Sequence, residues 1–355
     1  MRITGISFDH MHMGDLLRQV HDHPDAEIAG IFDPNPARMA QAIQTFNIPP
    51  ERVFTDFDTC MQTTKPDLTI LCAAPADHAT YTERLAPYAT HLFVEKPFAA
   101  SAADARRMMA AMKPTGKLMA INWPLAWVPS HVTAKRLIDQ GLIGTLKEVH
   151  FYDGNRGPLY HLAGKVVVTE AEVEAQKPNS WWYKRSSGGG SLLDYLGYGA
   201  TLGTWYMNGR APLEITCTTD QTANIEVDQH SVTVLRYDTG LSRMETRWGT
   251  FTDPWTIQPL PHCGFVFAGS DGTIESRDYS SHVTVQTRAN PTPHQIPAGD
   301  LPPGRRNAVE YILDCIATGN PITGPLDPAV SLTGQRIVDT AAQSAREKRT
   351  LPLAE

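Results

Sequence analysis

Cysteine is scarce in this chain, with five in 355 residues. Cys60, Cys72, Cys217, Cys263 and Cys315 are odd in number, scattered, and form no C-x-x-C pair. That excludes a disulfide frame and a cysteine-based zinc site. No apolar run approaches the length needed to span a bilayer. The start, Met1-Arg2-Ile3-Thr4-Gly5-Ile6, goes directly into a strand-like pattern. It lacks the apolar core and small-residue cleavage site of a secretory signal, so a cytoplasmic location is expected. Basic charge is not in excess. With 31 Lys and Arg against 38 Asp and Glu, the net charge is −7. This opposes nucleic acid or an anionic membrane as the main partner. The histidines and carboxylates show no ligand spacing, and no metal is expected. Internal repeats and low-complexity tails are also missing.

What is there describes a globular protein long enough for two domains, with 41% hydrophobic and 19% charged residues. The first third alternates strand and helix signals. Strands are expected at 2–8, 26–32, 68–72, 91–94 and 118–121, and helices at 15–21, 36–46, 79–86 and 102–112. Such alternation argues for a parallel sheet with right-handed crossovers. After Asn122 the texture changes, and all seven tryptophans lie between Trp123 and Trp255. A helix over 130–140 ends at Gly141. Strand-like runs follow at 146–152, 214–219, 231–237, 242–248 and 265–269. Their partial alternation suggests a largely antiparallel sheet. Residues 189–206 read as a buried helix, and 291–303 as a Pro-rich surface connection. Val309, Ile312, Leu313 and Ile316 form a helical stripe. Asp327-Pro328 reads as an N-cap with proline at N1, opening a helix to about residue 347. The expected division is 1–122 and 123–355, with the last helices packing back on the first domain.

Chemistry concentrates at strand ends. Glu95-Lys96-Pro97 follows the apolar run His91-Leu92-Phe93-Val94. A lysine there lies at the carboxyl end of a parallel strand, where open α/β sheets bind ligands. The first strand leads into Gly5-Ile6-Ser7-Phe8-Asp9-His10. A dinucleotide loop has G-x-G-x-x-G here, and only Gly5 keeps register, with Ser7 and His10 in place of the other glycines. Helix N-terminal amides would still face a phosphate. Asp33 follows the second strand. An acid there can accept from the adenosine ribose and repels a 2′-phosphate, which favours NAD over NADP, although Arg38 stands close by. Ala73, Ala74, Pro75 and His78 follow the third strand.

The order Pro75…His78, Glu95-Lys96-Pro97, the segment 137–144 and the closing Gly319-Asn320-Pro321 together resemble the family typified by glucose–fructose oxidoreductase and inositol dehydrogenase, the Gfo/Idh/MocA-like sugar dehydrogenases. The resemblance covers nearly the whole chain. It implies an α/β fold, with an N-terminal Rossmann dinucleotide-binding domain and a C-terminal α/β domain on an open, mostly antiparallel sheet. Gly5, Ser7, Phe8, Asp9, His10, Asp33, Arg38, Ala73, Ala74, Pro75, His78, Glu95, Lys96 and Asn122 become the expected NAD-site residues, His78 as architecture and not as general base. Gly188-Gly189-Gly190-Ser191-Leu192-Leu193-Asp194-Tyr195-Leu196-Gly197-Tyr198 resembles the family motif G-G-G-x-L-x-D-x-G-x-H/Y. Its last position, Tyr198, is where the family places a catalytic His or Tyr, and Leu196 stands where the family has glycine.

Oxidising a secondary alcohol needs the hydroxyl proton removed as hydride leaves. A tyrosine with its usual pKa of about 10 needs a nearby cation to act as base near neutrality. Lys96 is expected to lower it and to hydrogen-bond the developing alkoxide. Asp194, one helical turn before Tyr198, would orient the sugar or the lysine. Trp123, Arg156, Trp182, Tyr183 and Lys184, with Asp194, are the expected substrate contacts. Aromatic faces suit sugar rings, and cations suit acidic groups. Three readings stay open. One is an NAD-dependent dehydrogenase of a sugar, cyclitol or glycoside hydroxyl, at C1 or C3 by resemblance. Another is an NAD-retaining, redox-neutral glycosidase, and the third a non-catalytic sugar sensor. A homodimer or homotetramer is implied by the resemblance.

Overall fold

The computed structural model describes residues 1–161, 167–220, 222 and 224–354. The first domain contains strands β1 (Arg2–Ile6), β2 (Glu27–Phe32), β3 (Val53–Phe54), β4 (Leu68–Leu71), β5 (His91–Glu95) and β6 (Met119–Asn122). Every neighbouring pair is parallel, in the order β3-β2-β1-β4-β5-β6. That is the doubly wound order, whose reversal between β1 and β4 opens a crevice at the strands' carboxyl ends. Helices α1 (His12–His21), α2 (Pro36–Phe46), α3 (Phe57–Thr64), α4 (His78–Leu85) and α5 (Ala102–Met112) cover its faces. β1, β4, β5 and β6 are buried along nearly their whole length, as a sheet covered on both sides requires.

The second domain opens with α6 (Pro129–Asp139), β7 (Leu146–Asn155), α7 (Glu170–Gln176) and α8 (Gly197–Tyr206). It continues through β8 (Glu214–Thr219), β9 (His230–Arg236), β10 (Leu241–Trp248), β11 (Gly264–Gly269), β12 (Gly272–Arg277), β13 (His282–Thr287) and β14 (His294–Pro297). It closes with α9 (Ala308–Thr318), α10 (Pro328–Glu347) and β15 (Leu351–Pro352). The sheet order is β14-β13-β12-β11-β7-β10-β9-β8-β15, antiparallel except for the central β7–β10 pair. β9 and β10 alternate buried and exposed positions, so one face is covered by helices and the other is open. The last helices tie this domain to the first. Ala102 N–H donates to Asp339 at 2.7 Å, and Val309 N–H to Gln19 at 3.2 Å.

β3, α3, α7, β12, β13 and β15 have no counterpart in the pattern read in sequence, and three further elements differ from it. β14 lies inside the Pro-rich stretch and pairs with β13. α1 begins at His12, one turn earlier than its apolar spacing suggests. The helix expected over 189–206 starts only after the glycines, because Gly188 and Gly190 take φ of 83° and 110° and cannot be right-handed helix. Gly189 is needed for close approach, since a Cβ there would stand 2.1 Å from the Trp182 carbonyl oxygen. Residues Leu192–Leu196 then form a π-turn ahead of α8. Asp228 holds its start, accepting from Leu192 N–H at 2.8 Å and the Ser191 hydroxyl at 3.0 Å.

Candidate active site

β5 carries Lys96 to the crevice, and the π-turn carries Asp194 to meet it. The two form a buried ion pair, with side chains 4% and 5% exposed. Trp248 Nε1–H donates to the second Asp194 oxygen at 3.1 Å. The Lys96 ammonium lies 5.4 Å from the Tyr198 ring centre and 5.5 Å from that of Trp182. Lysine, aspartate and tyrosine, drawn from both domains, therefore line one cleft together with His10, His12, Asp153, Asn155, His161, Trp182, Trp255, Asp278 and Tyr279. π-turns concentrate at functional sites, and this one sets the register between Asp194 and Tyr198.

The Lys96 ammonium is paired with Asp194, and the net shift of the Tyr198 phenol is upward. Burial, followed by Glu95, Asp194 and Asp153, pushes the Tyr198 phenol well above its ordinary value. Asp153 is itself pushed well up, by burial first and by Asp278 and Asp194 next. Both groups are therefore pushed toward their neutral forms beside one fixed ion pair.

Several expected substrate contacts lie elsewhere. Trp123 is core: its indole N–H donates to Ser331 at 3.0 Å and its ring packs edge-on to Tyr198 at 5.4 Å. Gly197, the glycine adjoining Leu196, lets that ring in, since a Cβ there would meet Trp123 at 2.7 Å. Arg156 is taken by the buried Asp253, at 2.8 and 2.7 Å, and anchors the loop containing that residue. Tyr183 packs on Trp248 at 5.4 Å, and neither it nor Lys184 lines the cleft. Trp182 and Asp194 do line it. His12, Asp278 and Tyr279 enter without having been singled out. The one local signal among them is the spacing His10-Met11-His12, hidden by its place in the phosphate loop.

At the end of β1, Ser7 takes φ of 64°, the left-handed shape of the glycine it replaces. A Cβ on Gly5 would lie 3.0 Å from Met13 Sδ, so glycine lets α1 pack on β1. The start of α1 has no side-chain cap. This backbone fits a dinucleotide phosphate. The side chains around it have their own ties. Asp9 accepts from Ala74 N–H at 3.2 Å and from the Ser7 hydroxyl at 2.9 Å, and pairs with Arg38. Asp33 is fully buried and accepts from Phe8 N–H at 2.7 Å and Asn35 N–H at 2.8 Å. It braces the loop from within and is not presented to a ribose, contrary to the expectation from its place after β2. His78 is enclosed between the carbonyls of Phe98 and Ala73, at 3.0 and 2.9 Å, and burial lowers its pKa. Asn122 donates to Glu95 at 2.7 Å, and Glu95 contacts His12 at 2.8 Å. Against the expectation of no metal, His10, His12 and Glu95 place three ligand-capable atoms within 4.8 Å of one another.

The family model described as "Oxidoreductase family, NAD-binding Rossmann fold" matches residues 5–123, and that of the "GFO/IDH/MocA C-terminal domain" matches 131–275. D-apiose dehydrogenase of Paraburkholderia graminis is 29% identical over 124 residues, 35% of this chain and 32% of the relative. The matched segment thus spans about a third of that curated relative's length. Solved structures extend the likeness to the whole fold. Aldose-aldose oxidoreductase from Caulobacter crescentus, complexed with glycerol, superposes with TM-score 0.78 at 20% identity, covering 99% of each chain. Levoglucosan dehydrogenase, in complex with NADH and levoglucosan, gives 0.77 at 16% identity, again over 99% of each. With both of its domains matched in chain order, this chain belongs to the Gfo/Idh/MocA family of oxidoreductases, and its first domain is that family's NAD-binding Rossmann fold.

Proposed function

We propose that this chain is an NAD-dependent oxidoreductase acting on a ring hydroxyl of a sugar, cyclitol or glycoside. The observation that carries the reading is the meeting of Lys96, Asp194 and Tyr198 at the carboxyl end of β5. The loop from Gly5 to His10 and the start of α1 would hold the cofactor, which when bound supplies the hydride acceptor. Asp194 fixes Lys96 in place, and Lys96 has two further protons with which to bind the substrate oxygen. Tyr198 enters as a protonated phenol, the form needed to donate when a ring ketone is reduced. In the oxidation direction the same group must give up that proton before it can accept another, so its base form grows with pH. Trp182 offers an aromatic face to a sugar ring. A homodimer or homotetramer through the open face of the second sheet belongs to the same proposal.

Asp153 favours a second reading. A buried carboxyl near Lys96 and Asp194, pushed upward by burial first, is disposed to act as an acid in the site. Elimination of an aglycone from a 3-keto glycoside needs both removal of the C2 proton and protonation of the leaving oxygen. One experiment separates the readings. The protein is incubated with NAD and a panel of monosaccharides, cyclitols and glycosides while NADH and free aglycone are followed. A dehydrogenase accumulates NADH, whereas a redox-neutral glycosidase releases aglycone without net NADH. Failure to bind NAD or NADH at millimolar concentration ends both.

A further inference from the structure

We propose that His10, His12 and Glu95 form a binding site for a first-row divalent transition cation such as Zn²⁺ or Mn²⁺, opening into the cleft that holds Lys96 and Tyr198. Two imidazoles and one carboxylate are a donor set for such ions, which leave coordination positions free for oxygen ligands. The three residues come from the β1–α1 loop, the first residue of α1 and the end of β5, at the sheet edge where ligands bind.

Burial and bonding support the assignment independently of the cluster's composition. His10 is 1% exposed, yet its Nε2 has no hydrogen-bond partner among the described residues. Its Nδ1 meets only the His12 N–H, at 3.2 Å, the long end of the range. A buried imidazole so weakly satisfied is costly unless something else meets it. Glu95 is fully buried, with one oxygen on His12 Nδ1 at 2.8 Å and the other held by Asn122 Nδ2–H at 2.7 Å. Asn122 orients the carboxylate from behind, as outer partners of metal ligands do. With metal–ligand bonds of about 2.0–2.2 Å, donors within 4.8 Å need side-chain shifts on the order of 1 Å to close on an ion.

His10 and His12 line the cleft shared with Lys96, Asp194 and Tyr198. Free positions on the cation would face the substrate and suit two adjacent oxygens, those of a vicinal diol or a hydroxy acid. The site stands on its own geometry and does not depend on the redox reading.

The test uses the untagged full-length protein, stripped with a chelator and titrated with Co²⁺. Expected are one Co²⁺ per chain, a visible d–d spectrum of a nitrogen- and oxygen-ligated ion, and displacement by Zn²⁺. His10→Ala and His12→Ala should each weaken binding at least tenfold, while His282→Ala and His294→Ala leave it unchanged. No Co²⁺ bound by the wild type, or affinity lost with the surface histidines instead, overturns the site. Because His10 is packed among aromatic rings, circular dichroism is recorded for each variant. If His10→Ala does not fold, His12→Ala decides, and an unchanged affinity there rejects the proposal. NADH affinity, read by fluorescence on the same stripped protein, keeps the two claims apart. Its loss would sink the oxidoreductase reading without touching the Co²⁺ result.

Discussion

The Lys96 ammonium and the Asp194 carboxylate, 98 residues apart in sequence, form an ion pair sealed from water at the junction of the two domains. Removing one member leaves the other buried without compensation. Asp194→Ala should cost about 3–5 kcal/mol of stability, seen as a lower denaturant midpoint. Lys96→Met combined with Asp194→Leu should recover much of that loss while remaining inactive. A double-variant loss equal to the sum of the two single-variant losses would show that the pair is not coupled.

Tyr198→Phe keeps the edge-on contact with Trp123 and removes only the phenolic oxygen. The fold should survive unchanged, with turnover falling about 10²–10⁴-fold. Wild-type turnover in this variant would remove Tyr198 from the chemistry.

The Tyr198 phenol is raised by burial and by neighbouring carboxylates. A raised pKa means that the base form is rare at neutrality and increases as pH rises. Alcohol oxidation should therefore accelerate from neutral pH into the alkaline range, and ketone reduction should not. A flat oxidation profile over that range, with binding held saturating, contradicts the assignment.

Asp33 braces Phe8 and Asn35 from inside the loop. Asp33→Ala should weaken NAD and NADP together, because the loop that both share loses its support. A selective loss of NAD, measured by paired titrations, would instead return the carboxylate to ribose recognition.

Gly197 sits under the Trp123 indole. Gly197→Ala overpacks that contact and should destabilise by about 1–3 kcal/mol. The Tyr198 ring should shift with it, so kcat should fall more than KM rises. An unperturbed midpoint would mean that the helix can slide away from the indole at no cost.

The first domain was legible because its strands are short apolar runs separated by helical patterns. β3, with two residues, offers no period to detect. Lys96 could be found because it terminates a strand, and Asp194 and Tyr198 because three glycines precede them. Asp278 was not singled out, since its meaning lies in burial and in its closeness to Asp153, neither of which is local. Arg156 and Lys184 looked like ligand contacts on residue type alone, and Arg156 proved to hold its own loop through Asp253. His10-Met11-His12 was visible in the sequence, but Glu95, which gives it meaning, lies 83 residues from His12.

The stacked pair Trp181–Trp182 reaches back from the second domain to the first, where Trp181 donates to the Asp9 carbonyl at 2.9 Å and His10 lies 4.9 Å from the Trp182 ring. Two indoles thus rest on the Asp9–His10 turn of the dinucleotide-binding domain, while one of them lines the cleft that holds Lys96 and Tyr198. If a ligand at the turn disturbs one in the cleft, linkage requires the converse to the same degree. The molecule carries its own lamp at this junction: tryptophan emission should report each occupant's arrival and how strongly it favours or resists the next.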